Sequence, residues 1–336
     1  MFIHRSINLG VILRFAWKMQ LASFLLSLVV YLMYEILNFS FIAIPFLPVA
    51  TIGTAVAFYV GFKNNSAYDR LWEARKIWGS ITNASRMWGA TVMDLVGSRS
   101  QEEISELKKG LIYRHIAWMN VLRLQLRRFP VFDSREYTSS AQLKIIEKAL
   151  GKHSFEHHID DTLKKFLSPE ERKITEQKKN MASYLLKRQN EVLIELKNKK
   201  LLDDFEHSDM SKLILEFYNQ QGAAERIKSF PFPRQYANFS FVFVYIFVVL
   251  LPFSLVGEFA RLGNSLTWLV IPFTMLIAWV FNVMEQVGDA SENPFDNGIN
   301  DVPMTTICRN IEIDLREMLG ETELPPKIQP VEGIVM

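Results

Sequence analysis

One cysteine, Cys308, occurs in 336 residues, so no disulfide can form within the chain and a disulfide-stapled fold is excluded. Lys and Arg exceed Asp and Glu by only two, 38 against 36, which disfavours a strongly basic nucleic-acid binder, and no nucleic-acid partner is expected. No Walker loop, no G-x-G-x-x-G and no G-x-S-x-G is found, so a nucleotide enzyme or a serine hydrolase has no support and no cofactor is expected. Between Gln101 and Gln220 glycine and proline are sparse, which leaves little to interrupt helices there. Hydrophobic residues make up 49% of the chain, enough to bury a core, so disorder is excluded as well.

The most informative absence is local. No Asp, Glu, Lys or Arg occurs from Ile36 to Phe62, from Gln235 to Gly257, or from Leu262 to Met284, runs of 27, 23 and 23 residues. A fourth apolar run, Met19 to Tyr34, ends at Glu35. A membrane-crossing helix takes roughly 20 apolar residues, whereas buried core helices of soluble proteins reach 10–14. Tyr236–Gly257 and Leu262–Met284 are clear single spans. Met19–Leu37 is long enough with little tilt, and Pro45 and Pro48 interrupt the run that follows it. No small-residue cleavage site follows the first span, so a signal peptide fits poorly.

The charges lie between and around these runs. Residues 63–234 hold 31 Lys and Arg against 23 Asp and Glu, a net of +8, while residues 285–336 hold 3 against 11, a net of −8. The sequence therefore divides into a basic N-terminal segment with a first hairpin (1–62), a helical polar domain (63–234), a second hairpin (235–284) and an acidic tail (285–336) that suits the basic domain as a wrapping partner. Basic residues flank the spans on the side of the middle domain (Arg14 and Lys18, Lys63 and Arg70, Arg226, Lys228 and Arg234), which assigns both termini and the domain to the cytoplasm and the spans to the inner membrane. The middle reads as helical: Leu107, Leu111, Ile112, Trp118, Leu122 and Leu126 keep helical spacing, as do Leu185, Leu186, Leu193 and Leu196. Ser168-Pro169-Glu170-Glu171 is a helix start, with a capping hydroxyl, proline in the first turn and acids at the positive end of the helix dipole.

Two patterns bear on chemistry. His153-Ser154-Phe155-Glu156-His157 matches the H-x-x-E-H string of some zinc proteases, with His158, Asp160 and Asp161 behind it. No distant third ligand is marked, and a solvated helix is the better reading of a five-residue match. The second span carries two stripes at fourth-residue spacing. Gly53, Ala57 and Gly61 let helix backbones approach closely in lipid. Thr54, Phe58 and Phe62 run beside them, either facing lipid and core or, if several subunits pack by the small stripe, ringing a pore whose apolar wall gates by dewetting.

Four stretches resemble the bestrophin family, in particular its bacterial members: Gly61-Phe62-Lys63-Asn64-Asn65 through Tyr68-Asp69-Arg70, Trp72-Glu73 and Arg75 to Trp78-Gly79; Glu225-Arg226-Ile227 before the Pro231 and Pro233 link; Asn293-Pro294-Phe295; and Arg309-Asn310-Ile311-Glu312-Ile313-Asp314. The resemblance implies an all-α, multi-pass membrane protein with four transmembrane helices per subunit and a large helical cytosolic domain, assembled as a homopentamer around one axial pore. It implies a neck lined by Thr54, Phe58 and Phe62, where Thr54 departs from the larger apolar side chain usual in the family and adds a hydroxyl that eases ion entry. It implies a lower cytosolic constriction near Leu185, with Leu186 and Met181 as rivals. Animal members clasp calcium with a dense acidic run after Asn-Pro-Phe; here only Asp296 and Asp301 remain, too few for a cation that takes six to eight oxygens, so calcium activation is expected to be absent or weak. The implied cargo is small monovalent ions, Na⁺ or K⁺ by likeness to bacterial members and Cl⁻ as the alternative. The competing class is a membrane-anchored scaffold without conductance; a zinc hydrolase built on His153 and His157 ranks last.

Overall fold

The computed structural model describes residues 9–94, 101–128, 155–298, 300–331 and 333–335. Among them the chain is helical, with one isolated bridge between Val331 and Ile334. The helices are α1 (Leu9–Glu35), α2 (Phe46–Met93), α3 (Gln101–Arg127), α4 (Phe155–Phe166), α5 (Pro169–Glu176), α6 (Met181–Asn198), α7 (Asp204–Ser229), α8 (Arg234–Leu262), α9 (Val270–Ala290) and α10 (Met304–Met318), with short 3₁₀ turns at Ser40–Ile42 and Asn264–Leu269. Four stretches are long and apolar enough to cross a membrane: Trp17–Glu35, Ser40–Met93, Arg234–Leu262 and Ser265–Ala290. The chain forms two compact units. One holds Leu71–Phe230 and the segment from Asn293 onward; the other holds α1 to Arg70 and Pro231–Glu292.

In the apolar unit, α1, α8 and α9 pack on one another and on the first half of α2. The prolines that punctuate the second run sit at its start. Pro45 precedes α2 and Pro48 lies in its first turn, where a missing N–H costs nothing because that turn has no intrahelical acceptor. Pro252 lies inside α8, and the Phe253 carbonyl beside it accepts the Ile44 N–H at 3.1 Å, which ties the α1–α2 connection to that helix. Gly53 is buried where α2 meets α8: a Cβ there would stand 2.6 Å from Cε2 of Phe247, whose ring packs on Phe281 at 4.6 Å between centroids.

The second unit is a bundle of α3 to α7 with the later half of α2 and with α10. Its local starts follow sequence chemistry. Ser168 Oγ accepts the Glu171 N–H at 3.3 Å, and Asn180 accepts the Ser183 N–H at 3.0 Å. Asp203 and Glu206 form a reciprocal capping box at α7, with bonds of 2.7 and 2.9 Å. The core is aromatic: Trp78 is buried in it, and Trp88, Trp118 and Phe217 pack around His115, whose ring bonds Ser85 Oγ at 2.9 Å and which burial holds neutral, its pKa lowered to about 3. Acids of the later segment meet bases of the earlier helices, as Asp314 with Arg86 at 2.8 Å and Glu312 with Lys165 at 2.6 Å. Gly89 passes α10 so closely that a Cβ there would lie 2.5 Å from Leu315.

Gly53→Ala drives a methyl into the Phe247 ring, and the overpacking should lower stability by ~1–3 kcal/mol. Thermal unfolding in detergent reads it as a drop in Tm, and Phe247→Leu in the same chain should restore part of the loss.

Candidate functional site

The first half of α2 has two unlike faces. Val49, Gly53, Val56, Val60, Lys63 and Ala67 are buried, at alternating steps of four and three, so a single stripe of the helix faces its own unit. Thr54, Phe58 and Phe62 lie on another face. Phe58 is 66% and Phe62 59% exposed, and the Thr54 Oγ donates to the Ala50 carbonyl at 3.0 Å. That bond turns the threonine hydroxyl onto its own helix. The aromatic stripe thus contributes nothing to the subunit's own core.

The small-residue stripe behaves differently from its sequence reading. Gly53 is occupied by Phe247 of the same chain, Ala57 is half-buried, and Gly61 has nothing within 4 Å of where its Cβ would stand. Close approach between separate subunits along Gly53, Ala57 and Gly61 is therefore not what Gly53 serves; its missing side chain accommodates a bulky aromatic from α8.

Immediately after Phe62 lies a charged cluster that sequence reasoning missed. The Lys63 ammonium is fully buried and donates to Glu285 Oε1 at 2.7 Å and to Asp289 Oδ1, both on α9. Asn64 Nδ2 donates to the Met284 carbonyl at 2.9 Å, and Arg70 Nε to the Glu292 carbonyl at 3.1 Å. Gly288 leaves room for the Asn64 amide, which a Cβ would strike. Two points of α2, about two turns apart, are thus bolted to α9 and to the residues just after it. A signal existed: Lys63 and Glu285 are the first charges after two charge-free runs, which marks both as sitting at one level of the bundle.

The loop from Asn293 to Asp301 holds the two calcium candidates. Asp296 is ion-paired with the ammonium of Lys228 at the end of α7. Asp301 folds back on its own loop, accepting the Gly298 N–H at 2.7 Å, and Asn297 takes a left-handed φ of 70° to make the turn. Burial pushes the Asp301 carboxyl up to about 7. The two carboxylates serve a lysine and a backbone amide, an arrangement that closes the loop from within the chain.

Leu185 departs from its expected role. It is fully buried in the core of its own unit, and Leu186 likewise, so neither presents a side chain to a lumen. The regular spacing that singled them out is the inward stripe of α6. Met181 keeps part of its side chain accessible and lines an open recess of about 450 Å³ with Gln125, Arg172 and Lys179. His153 lies outside the described residues, as do the side chains of Glu156, His157 and His158 in α4. Asp160, on the same helix, pairs with Lys164 at 2.6 Å and Arg172 at 3.2 Å.

Comparison with known proteins adds the family. A family model described as "Bacterial/Fungal Bestrophin protein" matches residues 3–317. The chain is 28% identical over 325 residues to the voltage-dependent anion channel-forming protein YneE of Salmonella typhi, covering 96% of this chain and 92% of that protein. It is 29% identical over 314 residues to the protein of the same name from Escherichia coli K12, covering 92% and 88%. Among solved structures, a bacterial bestrophin homologue from Klebsiella pneumoniae superposes with a TM-score of 0.73 at 22% identity, covering 91% of this chain and 99% of that one, which carries the fold.

Two outcomes follow from the charged groups. Lys63→Met leaves Glu285 buried without its cation and should cost ~3–5 kcal/mol, read as a large fall in Tm in detergent; adding Glu285→Gln removes the stranded charge and should recover much of it. Asp301 ionises near 3.8 when unfolded and near 7 when folded, so its contribution to stability is fullest below about pH 4 and is lost as pH rises toward 7. Asp301→Asn, which keeps an oxygen for the Gly298 N–H, should flatten the fall in Tm between pH 5 and 7.

Proposed function

The chain belongs to the bacterial and fungal bestrophin family, and from that premise we propose that it is the subunit of an ion channel that conducts small monovalent ions passively, with no catalytic step. Five copies ring an axis with the α2 helices innermost, in the inner membrane, with both termini and the α3–α7 bundle in the cytoplasm. Thr54, Phe58 and Phe62 line the neck. One observation carries this reading: the aromatic stripe is exposed on a helix whose other face is buried, so its burial or its lumen must come from outside the subunit.

In such a neck, rings of Phe58 and Phe62 exclude water when narrow, and rotation of the rings or tilting of α2 rewets them. With the Thr54 hydroxyl bonded to Ala50, its proton is committed to the helix and the first ring is less polar than a free hydroxyl would make it. No charge stands in the stripe, so the sign of the ion is set by which part of the phenyl rings faces the axis, positive edge or negative face. The relatives are named as anion channels, which weighs against the cation preference expected from the resemblance. The Lys228–Asp296 pair and the inward turn of Asp301 support conduction without calcium activation.

The purified complex should have a mass near five times the 39.0 kDa chain after correction for detergent. In planar bilayers Phe58→Ala and Phe62→Ala should raise single-channel conductance while changing subunit stability by no more than about 0.5 kcal/mol, because neither ring packs in its own core. A monomer without flux, or variants that lose stability and keep the same conductance, would sink the proposal. The reversal potential in a KCl gradient reads the sign of the ion, and stepping calcium through micromolar levels in the same recording should leave the current unchanged.

A further inference from the structure

Two arginines one turn apart near the end of α3, Arg123 and Arg127, are partly buried, and among the described residues neither forms an ion pair. The Nε of Arg123 and the Nε and Nη2 of Arg127 are shut off from solvent and have no hydrogen-bond partner. A guanidinium offers five donors in a rigid fork, and donors buried without acceptors are costly. Burial lowers the pKa of both, and the neighbouring Arg123 charge helps bring Arg127 down to about 9.

The acidic groups that act on them, Glu312 and Asp301, also have other partners among the described residues. Glu312 is shared by Lys165 at 2.6 Å, Arg309 at 3.3 Å and Arg316 at 3.6 Å. Asp301 accepts the Gly298 N–H, and its own carboxyl is pushed up to about 7. Cys308 donates its thiol to the Met119 carbonyl, and burial pushes its pKa to about 11, so it stays neutral. The orphaned groups extend beyond the arginines. On the 297–308 segment, whose Asp301 and Cys308 are close enough to act on the Arg127 charge, the Asn297 Nδ2 and the Thr305 Oγ are also buried without partners. Thr305 stands in the first turn of α10, which has no side-chain cap and presents the positive end of its dipole. Every one of these groups can donate a hydrogen bond.

We propose that Arg123 and Arg127 hold a small oxyanion of the phosphate or carboxylate kind, with Thr305 and Asn297 supplying further donors, and that this anion ties α3 to the start of α10. The bound species is a free small anion, distinct from the ions carried along the α2 stripe. Two planar forks match the paired oxygens of such a group far better than they match chloride.

The test is thermal unfolding of the full-length protein in detergent, titrated with inorganic phosphate against chloride at constant ionic strength. Phosphate should raise Tm saturably by ~2–4 °C, as a ligand of the folded state does. Arg127→Gln should abolish the phosphate-dependent rise. Because a buried substitution can damage folding, Thr305→Val serves as the second variant and should weaken phosphate binding at least several-fold, read by calorimetric titration at one site per chain. A wild-type Tm indifferent to phosphate overturns the proposal, as does an equal rise in Arg127→Gln. Dissociation of the complex by Arg127→Gln without any phosphate effect on the wild type also overturns it, since the fork would then be filled by a neighbouring chain's carboxylate.

Discussion

An ammonium group buried among helices needs negative charge within a few ångströms, and Lys63 finds it in Glu285 and Asp289. This pairing sets the rotation of α2 about its own axis. With Lys63 turned toward α9, the side chain one residue earlier, Phe62, is carried about 100° around the helix and out of the bundle. Phe58 and Thr54 follow at four-residue steps. The orientation of the apolar stripe is thus decided by an ion pair just beyond its C-terminal end, and Asn64 beside it and Arg70 further along α2 repeat the restraint.

The same helix is held from its other end by shape rather than charge. Gly53 receives the Phe247 ring, and Val56 and Val60 fill the space toward Val244 and Val248. Charge at one end and close packing at the other leave little freedom for α2 to roll. Movement along this face is therefore left to the phenyl side chains or to tilt of the helix with its partners.

In the helical bundle, stability rests on aromatic packing and on caps, while its polar residues are mostly paired. Trp118 bonds Gln221 at 2.9 Å, and Gln189 bonds the Leu111 carbonyl at 2.8 Å. Against that background the buried guanidinium nitrogens of Arg123 and Arg127 that lack a hydrogen-bond partner stand out. The loop after α9 is closed by Lys228 and by the Gly298 amide, so an internal cation and a backbone donor do the work that a metal ion would do in an acid-rich loop.

Much of this was legible in the chain alone. Charge-free runs of 23 residues have one common use, because an unpaired charge in hydrocarbon is expensive, and the stripe Thr54, Phe58, Phe62 followed from helical period. The capping residues Ser168 and Asp203 act over three residues and need no tertiary context. What period cannot decide is which of several stripes faces inward. Leu185 and Leu186 have the same spacing whether they line a lumen or fill a core, and they fill the core. Gly53 reads as a contact between subunits until Phe247, 194 positions later, is found against it. The pairing of Lys63 with Glu285 spans 222 residues, and the orphaned nitrogens of Arg123 and Arg127 are visible only in the packed structure. Sequence by itself determined the helical character and the apolar stretches long enough to cross a membrane, since these depend on neighbours three or four residues away. Tertiary structure alone decided the facing of each helix and the partner of each buried charge, since those depend on groups that meet only when distant segments pack.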